Sequence, residues 1–174
     1  AVGLVGANGV GKSTLLRILV GLNTGFQGDV MVNNIPLEKK NLKTIRKNIG
    51  YVFQDADSQL FMSTVFDDVA FAPRNYGMSE AEVNEKTMAL KVVHIEQLKD
   101  KQIYKLSGGE KKLASIATIL STEPDVILMD EPSVALDPKN RRNLINILNR
   151  LNQAKIIASH DLNMIMDTCE RTIL

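Results

Sequence analysis

Residues 6–13 combine three glycines with a lysine and a hydroxyl side chain in the pattern G-x-x-x-x-G-K-[ST]. The apolar run 2–5 before them predicts a strand, and the segment after them has helical spacing. Main-chain N–H groups of such a loop can surround phosphates at a helix N-terminus, while Lys12 reaches the terminal phosphates and Ser13 offers its hydroxyl to Mg²⁺. The alternative is a glycine-rich turn without chemistry, which this strand–loop–helix setting disfavours.

Two acidic residues, Asp130 and Glu131, follow the uninterrupted apolar run 126–129, which is typical of a parallel strand covered on both faces. Ligands bind at the carboxyl ends of strands in an open parallel sheet. We therefore expect Asp130 to hold the Mg²⁺ shell and Glu131 to polarise the attacking water. The alternative is an ordinary acidic strand-to-turn transition. The sequence has no guanine-reading N-K-x-D motif, which excludes the GTPases.

Residues 105–112, KLSGGEKK, place two adjacent glycines where a helical pattern begins. Ser107 and Glu110 have the S-x-x-E spacing of a capping box, which by itself accounts for a helix start. A cap does not require Gly108 and Gly109, which cost backbone entropy. A phosphate that docks against bare N–H groups at the helix N-terminus would explain both glycines.

Six short stretches occur in the order and approximate spacing of the ABC-type ATPase domain, to which the chain is similar over nearly its whole length. They are GANGVGKST, Gln54 after GYVF, LSGGE, ILMDEP, SVALD and His160 after IIAS. The resemblance implies an α/β P-loop NTPase fold, with a mostly parallel sheet flanked by helices and an inserted helical subdomain. It also implies that the domain hydrolyses ATP with Mg²⁺ and works as a dimer.

The resemblance assigns roles outside the glycine-rich loop. Gln54 is similar to the loop glutamine that touches Mg²⁺ and the attacking water, although a polar strand terminus is the alternative. His160 resembles the histidine that reaches the γ-phosphate, whereas His94 is expected on an ordinary helix. In the family, residues 105–112, hereafter the signature segment, face the nucleotide of a second domain. Asp137 resembles part of the loop that communicates across the dimer, and its position also predicts a helix cap.

The candidate site therefore has three sets of residues. The nucleotide-binding set is Asn8, Gly9, Gly11, Lys12, Ser13, Thr14, Ser107, Gly108, Gly109 and Asp137. The metal-binding set is Ser13, Gln54 and Asp130, and the catalytic set is Glu131, His160 and Gln54. The signature segment departs from the commonest family pattern at Glu110, where Gln is usual, and at Leu113, where Arg often follows.

The pattern along the chain predicts one domain, 1–174, with an α/β core at 1–54 and about 106–174. The helical subdomain covers about 55–105, including a predicted helix in SEAEVNEKTMALKVV with Ser79 and Glu82 spaced as a capping box. The chain begins and ends within apolar runs, so we interpret it as a fragment that lacks both ends of the full domain. The family's adenine-stacking aromatic residue lies in a segment upstream of such a fragment.

Charge and composition limit the partners. Lys and Arg number 21 against 20 Asp and Glu, a net charge of +1, which gives no long-range attraction for nucleic acid. No apolar run approaches the ~18 residues of a membrane-spanning helix, so contact with a membrane would require another subunit. The single cysteine, Cys169, excludes an intramolecular disulfide framework.

Residues 55–79 are similar to the corresponding stretch of energy-coupling-factor and cobalt or nickel transporter ATPases, which carries D-x-D-x-Q-L-F and D-V-A-F-x-P. This resemblance implies a transmembrane transporter subunit as partner and a peripheral position at the cytoplasmic face of the membrane. The alternative for this stretch is that its acidic residues are merely solvated and its phenylalanines pack in the core. Two other functions remain open: a soluble ABC ATPase of DNA repair or translation, and a nucleotide-gated clamp without turnover, which Glu131 disfavours.

Overall fold

A computed structural model describes all 174 residues. The strands are β1 (Val2–Leu4), β2 (Met31–Val32), β3 (Ile35–Pro36), β4 (Ile49–Val52), β5 (Val126–Asp130), β6 (Ala154–Ala158) and β7 (Arg171–Ile173). The helices are α1 (Lys12–Leu19), α2 (Leu42–Asn48), α3 (Val65–Asn75), α4 (Glu80–Lys86), α5 (Ala89–Val92), α6 (Gly108–Leu120), α7 (Pro138–Arg150) and α8 (Leu162–Thr168). No helix has the length and hydropathy needed to cross a membrane.

The central sheet has five parallel strands in the order β4–β5–β6–β1–β7. Strand β5 lies between two neighbours and is covered on both faces, as its apolar run predicts. Successive side chains of β5 point to opposite faces of the sheet. Ile127 and Met129 therefore belong to the larger hydrophobic cluster, and Leu128 belongs to the smaller one together with Leu16 of α1. This topology brings the carboxyl ends of β1, β5 and β6 to one edge of the sheet.

Strands β2 and β3 form a separate antiparallel hairpin outside the main sheet. Asn33 and Asn34 form the turn between them, and both have positive φ, 50° and 61°. Asparagine tolerates this left-handed conformation better than most residues, and two such residues in a row suit a tight hairpin turn.

The segment between β4 and β5 is helical, with α3 to α6 and short 3₁₀ turns. The predicted capping box of Ser79 and Glu82 is confirmed. The predicted helical structure of SEAEVNEKTMALKVV is also confirmed, but the chain turns at residues 87–88 and divides it into α4 and α5. At this turn the Thr87 hydroxyl donates to Asn84 O. His94 is not on a helix but in an exposed turn with φ 60°.

The division into a core and an inserted subdomain stays a prediction. Helix α3 packs against α6, and Val65 and Val69 of α3 share one hydrophobic cluster with Ile127 of β5. The helical segment and the sheet thus meet through a continuous apolar contact. Helix α6 is the element common to both, because it also lies against β4.

Helix α6 lies very close to β4 at Gly50. A Cβ at this position would overlap Ile119 Cγ2 and lie 3.3 Å from Pro124 Cγ. Ile119 belongs to α6 and packs against the larger hydrophobic cluster, so it cannot move away freely.

We predict that Gly50→Ala lowers the free energy of unfolding by about 1–3 kcal/mol, because the added methyl group forces α6 away from β4. Urea unfolding measures the change. The control is Gly25→Ala, where a Cβ meets no atom within 4 Å and φ is not positive. That substitution should stay within about 0.5 kcal/mol. Equal urea midpoints for the two variants would contradict close packing of Ile119 against Gly50.

Candidate active site

The loop at 6–13 connects β1 to α1 in the order that the sequence predicts. Gly9 and Gly11 have φ of 84° and 102°, a conformation that glycine adopts without strain. Open space surrounds both positions, since a Cβ at either would meet no atom within 4 Å. Helix α1 begins after Gly11 with no side-chain cap, so its first N–H groups are left for a ligand.

The ammonium group of Lys12 folds back over this loop. Its Nζ donates hydrogen bonds to Gly6 O at 2.7 Å and to Ala7 O at 3.1 Å. Both acceptors are neutral carbonyl oxygens, so the positive charge of Lys12 is available to an anion bound in the loop.

Asp130 is the last residue of β5, and each oxygen of its carboxylate accepts one hydrogen bond. The Ser13 hydroxyl donates to Oδ1 at 2.8 Å, and the Tyr51 hydroxyl donates to Oδ2 at 3.1 Å. Burial, and to a smaller extent the charge of Asp130, raise the pKa of Tyr51 to about 12, so this phenol stays a donor at neutral pH. Sequence reasoning missed Tyr51, and the available signal was its hydroxyl within the buried strand IGYV.

Glu131 is 6% exposed and is oriented by the segment after β6. Its carboxylate accepts hydrogen bonds from Ser159 Oγ at 3.1 Å and from the His160 main-chain N–H at 3.1 Å. The ring atom Nδ1 of His160 lies 2.9 Å from Glu131 Oε2. Glu131 has a φ of 45°, a strained conformation for this residue type that is concentrated at functional sites. Sequence reasoning missed Ser159, because a serine at a strand end is common.

A cavity of ≈ 410 Å³ opens between these elements. Its 10 lining residues are Asn8, Gly9, Gly11, Lys12, Ser13, Thr14, Gln54, Glu131, Val134 and His160. Apart from Val134, all of them were predicted from the sequence. The structure therefore brings together the glycine-rich loop, Gln54, and the two residues Glu131 and His160, while Asp130 lies directly beneath and bonds to Ser13.

The predicted residues Ser107, Gly108, Gly109 and Asp137 do not line this cavity. The capping box at the start of α6 is confirmed, with the Ser107 N–H donating to Glu110 at 2.7 Å and the Glu110 N–H donating to Ser107 Oγ at 3.3 Å. Asp137 caps α7 and accepts from the main-chain N–H of Asn140 at 2.9 Å.

The two signature glycines have different surroundings. A Cβ at Gly109 would lie 2.7 Å from Asn140 Nδ2 and 2.9 Å from its Cγ, so the Asn140 side chain would have to shift to admit one. A Cβ at Gly108 would meet no atom within 4 Å. The Asn140 side chain thus gives a local reason for glycine at 109 and no neighbouring atom gives one at 108, and the phosphate contact inferred for both glycines stays a prediction.

The two departures from the family pattern have local explanations. Glu110 accepts hydrogen bonds from the Ser107 N–H and from Lys101 Nζ, at 3.1 Å for the latter. Chiefly the first of these bonds holds the pKa of Glu110 below its usual value, so the carboxylate remains an effective cap partner. Leu113 is buried and belongs to the larger hydrophobic cluster.

Comparison with known proteins agrees with this geometry. The ABC transporter family model matches residues 1–134. A Geobacter sulfurreducens protein named as an ABC transporter ATP-binding protein is 49% identical over 100% of this chain and 70% of its own length. The energy-coupling factor transporter ATP-binding protein EcfA of Carboxydothermus hydrogenoformans is 41% identical over 98% of this chain and 65% of its own length.

Solved structures show the same fold. CbiO1 of Clostridium perfringens, part of the ABC transporter complex CbiONQ, has a TM-score of 0.88 and 37% identity over 99% of this chain and 75% of its own. A dimeric ATP-binding cassette in a post-hydrolysis state, with ADP and phosphate bound, has a TM-score of 0.85 and 29% identity over 96% of this chain and 77% of its own. The chain belongs to the ABC transporter family and is an ATP-binding, ATP-hydrolysing domain of that family.

Proposed function

We propose that the cavity beside the glycine-rich loop binds the phosphates of ATP and that Glu131 is the general base of hydrolysis. The observation that carries this proposal is the position of the Glu131 carboxylate, which is buried and bonded by Ser159 and His160 on a wall of the cavity that contains Lys12. A base fixed in this way does not have to reorganise when the reaction begins.

The residues beneath the cavity fit Mg²⁺. Ser13 Oγ and Asp130 Oδ1 are hard oxygen donors 2.8 Å apart, and no group of three or more His, Cys, Asp or Glu side chains could hold a metal without other ligands. This small donor set suits Mg²⁺, which keeps several waters and binds one or two carboxylates together with substrate phosphates. Bound there, Mg²⁺ would neutralise charge on the phosphate oxygens. Gln54 is exposed at the rim of the same cavity.

The side chains then have separate tasks. Lys12 exchanges its carbonyl partners for phosphate oxygens, and the N–H groups at the start of α1 bind the remaining charge. Glu131 accepts a proton from water as the water oxygen bonds to the γ-phosphorus and the bond to the bridging oxygen breaks. The His160 side chain is largely exposed, and its Nδ1 contacts Glu131. The opposite edge of its ring reaches the γ-phosphate.

We further propose that the signature segment completes the site of a second ABC domain. Ser107 and Gly108 are exposed, lie off this chain's own cavity, and present the N-terminus of the 13-residue helix α6. The capping box uses the N–H groups of Ser107 and Glu110, which leaves those of Gly108 and Gly109 at this helix start to bind the γ-phosphate of a partner's ATP. The similarity to a dimeric cassette supports this arrangement, in which Asp137 contributes to the contact between the two domains.

An exposed aromatic patch supports a membrane subunit as a further partner. Phe61 is 65% exposed and packs edge-on against Phe71, with ring centroids 4.7 Å apart, and the exposed Tyr104 borders the same cleft. Exposed aromatic clusters are typical of binding surfaces. The similarity to EcfA and to CbiO1 supports an energy-coupling-factor or cobalt/nickel type of transporter, with this domain peripheral at the cytoplasmic face of the membrane.

We predict that Glu131→Gln lowers the rate of ATP hydrolysis by about 10²–10⁴-fold, because an amide cannot accept the proton of the attacking water. The amide keeps the size of the carboxylate, so ATP still binds and a nucleotide-bound dimer accumulates. Phosphate release measures the rate, and size-exclusion chromatography with ATP measures the dimer.

Lys12→Ala is the contrasting variant. It removes the cation that reaches the phosphates, so ATP binding itself is lost and no dimer forms with ATP. If Glu131→Gln hydrolysed ATP at the parent rate, the assignment of Glu131 as general base would be wrong.

We predict that Gly108→Val leaves the free energy of unfolding within about 0.5 kcal/mol, because the added side chain points into open space. ATP binding to the monomer is retained, whereas hydrolysis falls by about 100-fold or more because the valine obstructs the partner's γ-phosphate. Urea unfolding, nucleotide titration and phosphate release separate these effects. Parent-level hydrolysis by Gly108→Val would refute the proposed role of the signature segment.

A further inference from the structure

The loop that carries Gln54 is attached to helix α6 through a buried lysine. Lys112, in the second turn of α6, is 3% exposed. Its Nζ donates hydrogen bonds to Phe53 O at 3.0 Å and to Gln54 O at 2.8 Å. The main chain on which the Gln54 side chain is mounted is therefore bonded directly to α6.

Gln59 makes a second attachment between the same loop and the same helix. Its Nε2 donates to Ser115 O at 2.7 Å and to Thr118 Oγ1 at 2.8 Å, both on α6. Its Oε1 accepts from the Phe53 N–H at 3.1 Å. Gln59 thus binds the N–H of Phe53 and Lys112 binds its carbonyl oxygen. The main chain leading into Gln54 is fixed at both peptide groups of Phe53.

A lysine in this position is costly. Burial lowers the pKa of Lys112 to about 8, against the opposing attraction of Asp55 and Asp130. A methionine of similar length would fill the space without any desolvation of charge. The two carbonyl contacts are the specific feature that a lysine adds, and both of them go to residues 53–54.

We propose that Lys112 is a positioning residue which, with Gln59, makes the placement of Gln54 follow the position of helix α6. The inference rests on the proposed roles of Gln54 and of the signature segment, which is the N-terminal end of the same helix. When Ser107 and Gly108 dock on the nucleotide of the partner domain, α6 carries the main chain of Gln54 with it. Each domain thus sets the glutamine of its own site when it completes the site of its partner.

The chain contains a matched control for a lysine that only stabilises the fold. Lys155 is 9% exposed, and its Nζ donates to Leu151 O at 2.6 Å and Gln153 O at 2.9 Å. Burial lowers the pKa of Lys155 as well. It lies near the start of β6, at the end of the strand away from His160, and contacts no residue of the cavity.

The experiment compares Lys112→Met with Lys155→Met in the full-length, partner-assembled ATPase. We expect Lys112→Met to lower kcat by about 10-fold or more while KM for ATP changes less than about twofold, because the phosphate-binding loop is untouched. Lys155→Met loses stability without a change in kcat. Gln59→Met removes the second attachment and should lower kcat in the same way. If Lys112→Met does not fold, the kcat of Gln59→Met tests the proposal.

A double-mutant cycle with Gln54→Ala tests whether Lys112 acts through the glutamine. We expect Lys112→Met to cause no further loss of kcat once Gln54 is alanine, since residues that act as one unit are not additive. Losses that multiply would overturn the proposal, as would Lys112→Met and Gln59→Met variants that turn over like Lys155→Met. Absence of ATP hydrolysis in the parent protein would instead contradict the proposed function, so the two failures are distinguishable.

Discussion

The site depends on two carboxylates that are buried where β5 ends. Asp130 and Glu131 are 1% and 6% exposed, and a buried charge is costly unless hydrogen bonds compensate for the lost water. The compensation comes from different parts of the chain: Ser13 and Tyr51 bond to Asp130, and the segment after β6 bonds to Glu131. The parallel sheet is what brings these donors together, because it aligns the ends of its strands at one edge.

Helix α6 joins this edge to the rest of the molecule. Its first turn is closed by the Ser107–Glu110 capping box, Gly109 lies against the Asn140 side chain of α7, and its apolar face covers the sheet. The second turn holds the loop of Gln54 through Lys112. One helix therefore carries the exposed end that we propose to bind the partner's phosphate and a buried attachment to the loop of Gln54. In that proposal, contact with a second domain changes the geometry of this domain's own site through α6.

The segment 55–79 contains both internal and surface features. Its acidic and amide residues are largely used within the chain: Gln59 bonds to α6, and Asp68 accepts from the N–H groups of Phe61 and Met62. The exposed aromatic side chains beside them have no such internal use. The polar part of the D-x-D-x-Q-L-F stretch thus positions the loop, and the exposed aromatic part is the surface that we propose for a partner.

The sequence by itself determined the glycine-rich loop, the order of strand, loop and helix around it, the acidic end of β5, and the capping boxes at Ser79 and Ser107. These features depend on local backbone conformation and on side-chain spacing, which short stretches of sequence encode. The break between α4 and α5 and the turn at His94 were not predicted, because the helical spacing of that stretch continues through the residues at which the chain turns.

Only the tertiary structure decided which groups meet across the fold. Tyr51 bonds to Asp130 from the adjacent strand, and Lys112 reaches the carbonyl of Gln54 across 58 positions of sequence. Gly109 lies against the Asn140 side chain of another helix. No local pattern specifies such contacts, since they depend on the register of neighbouring strands and on how closely two helices approach.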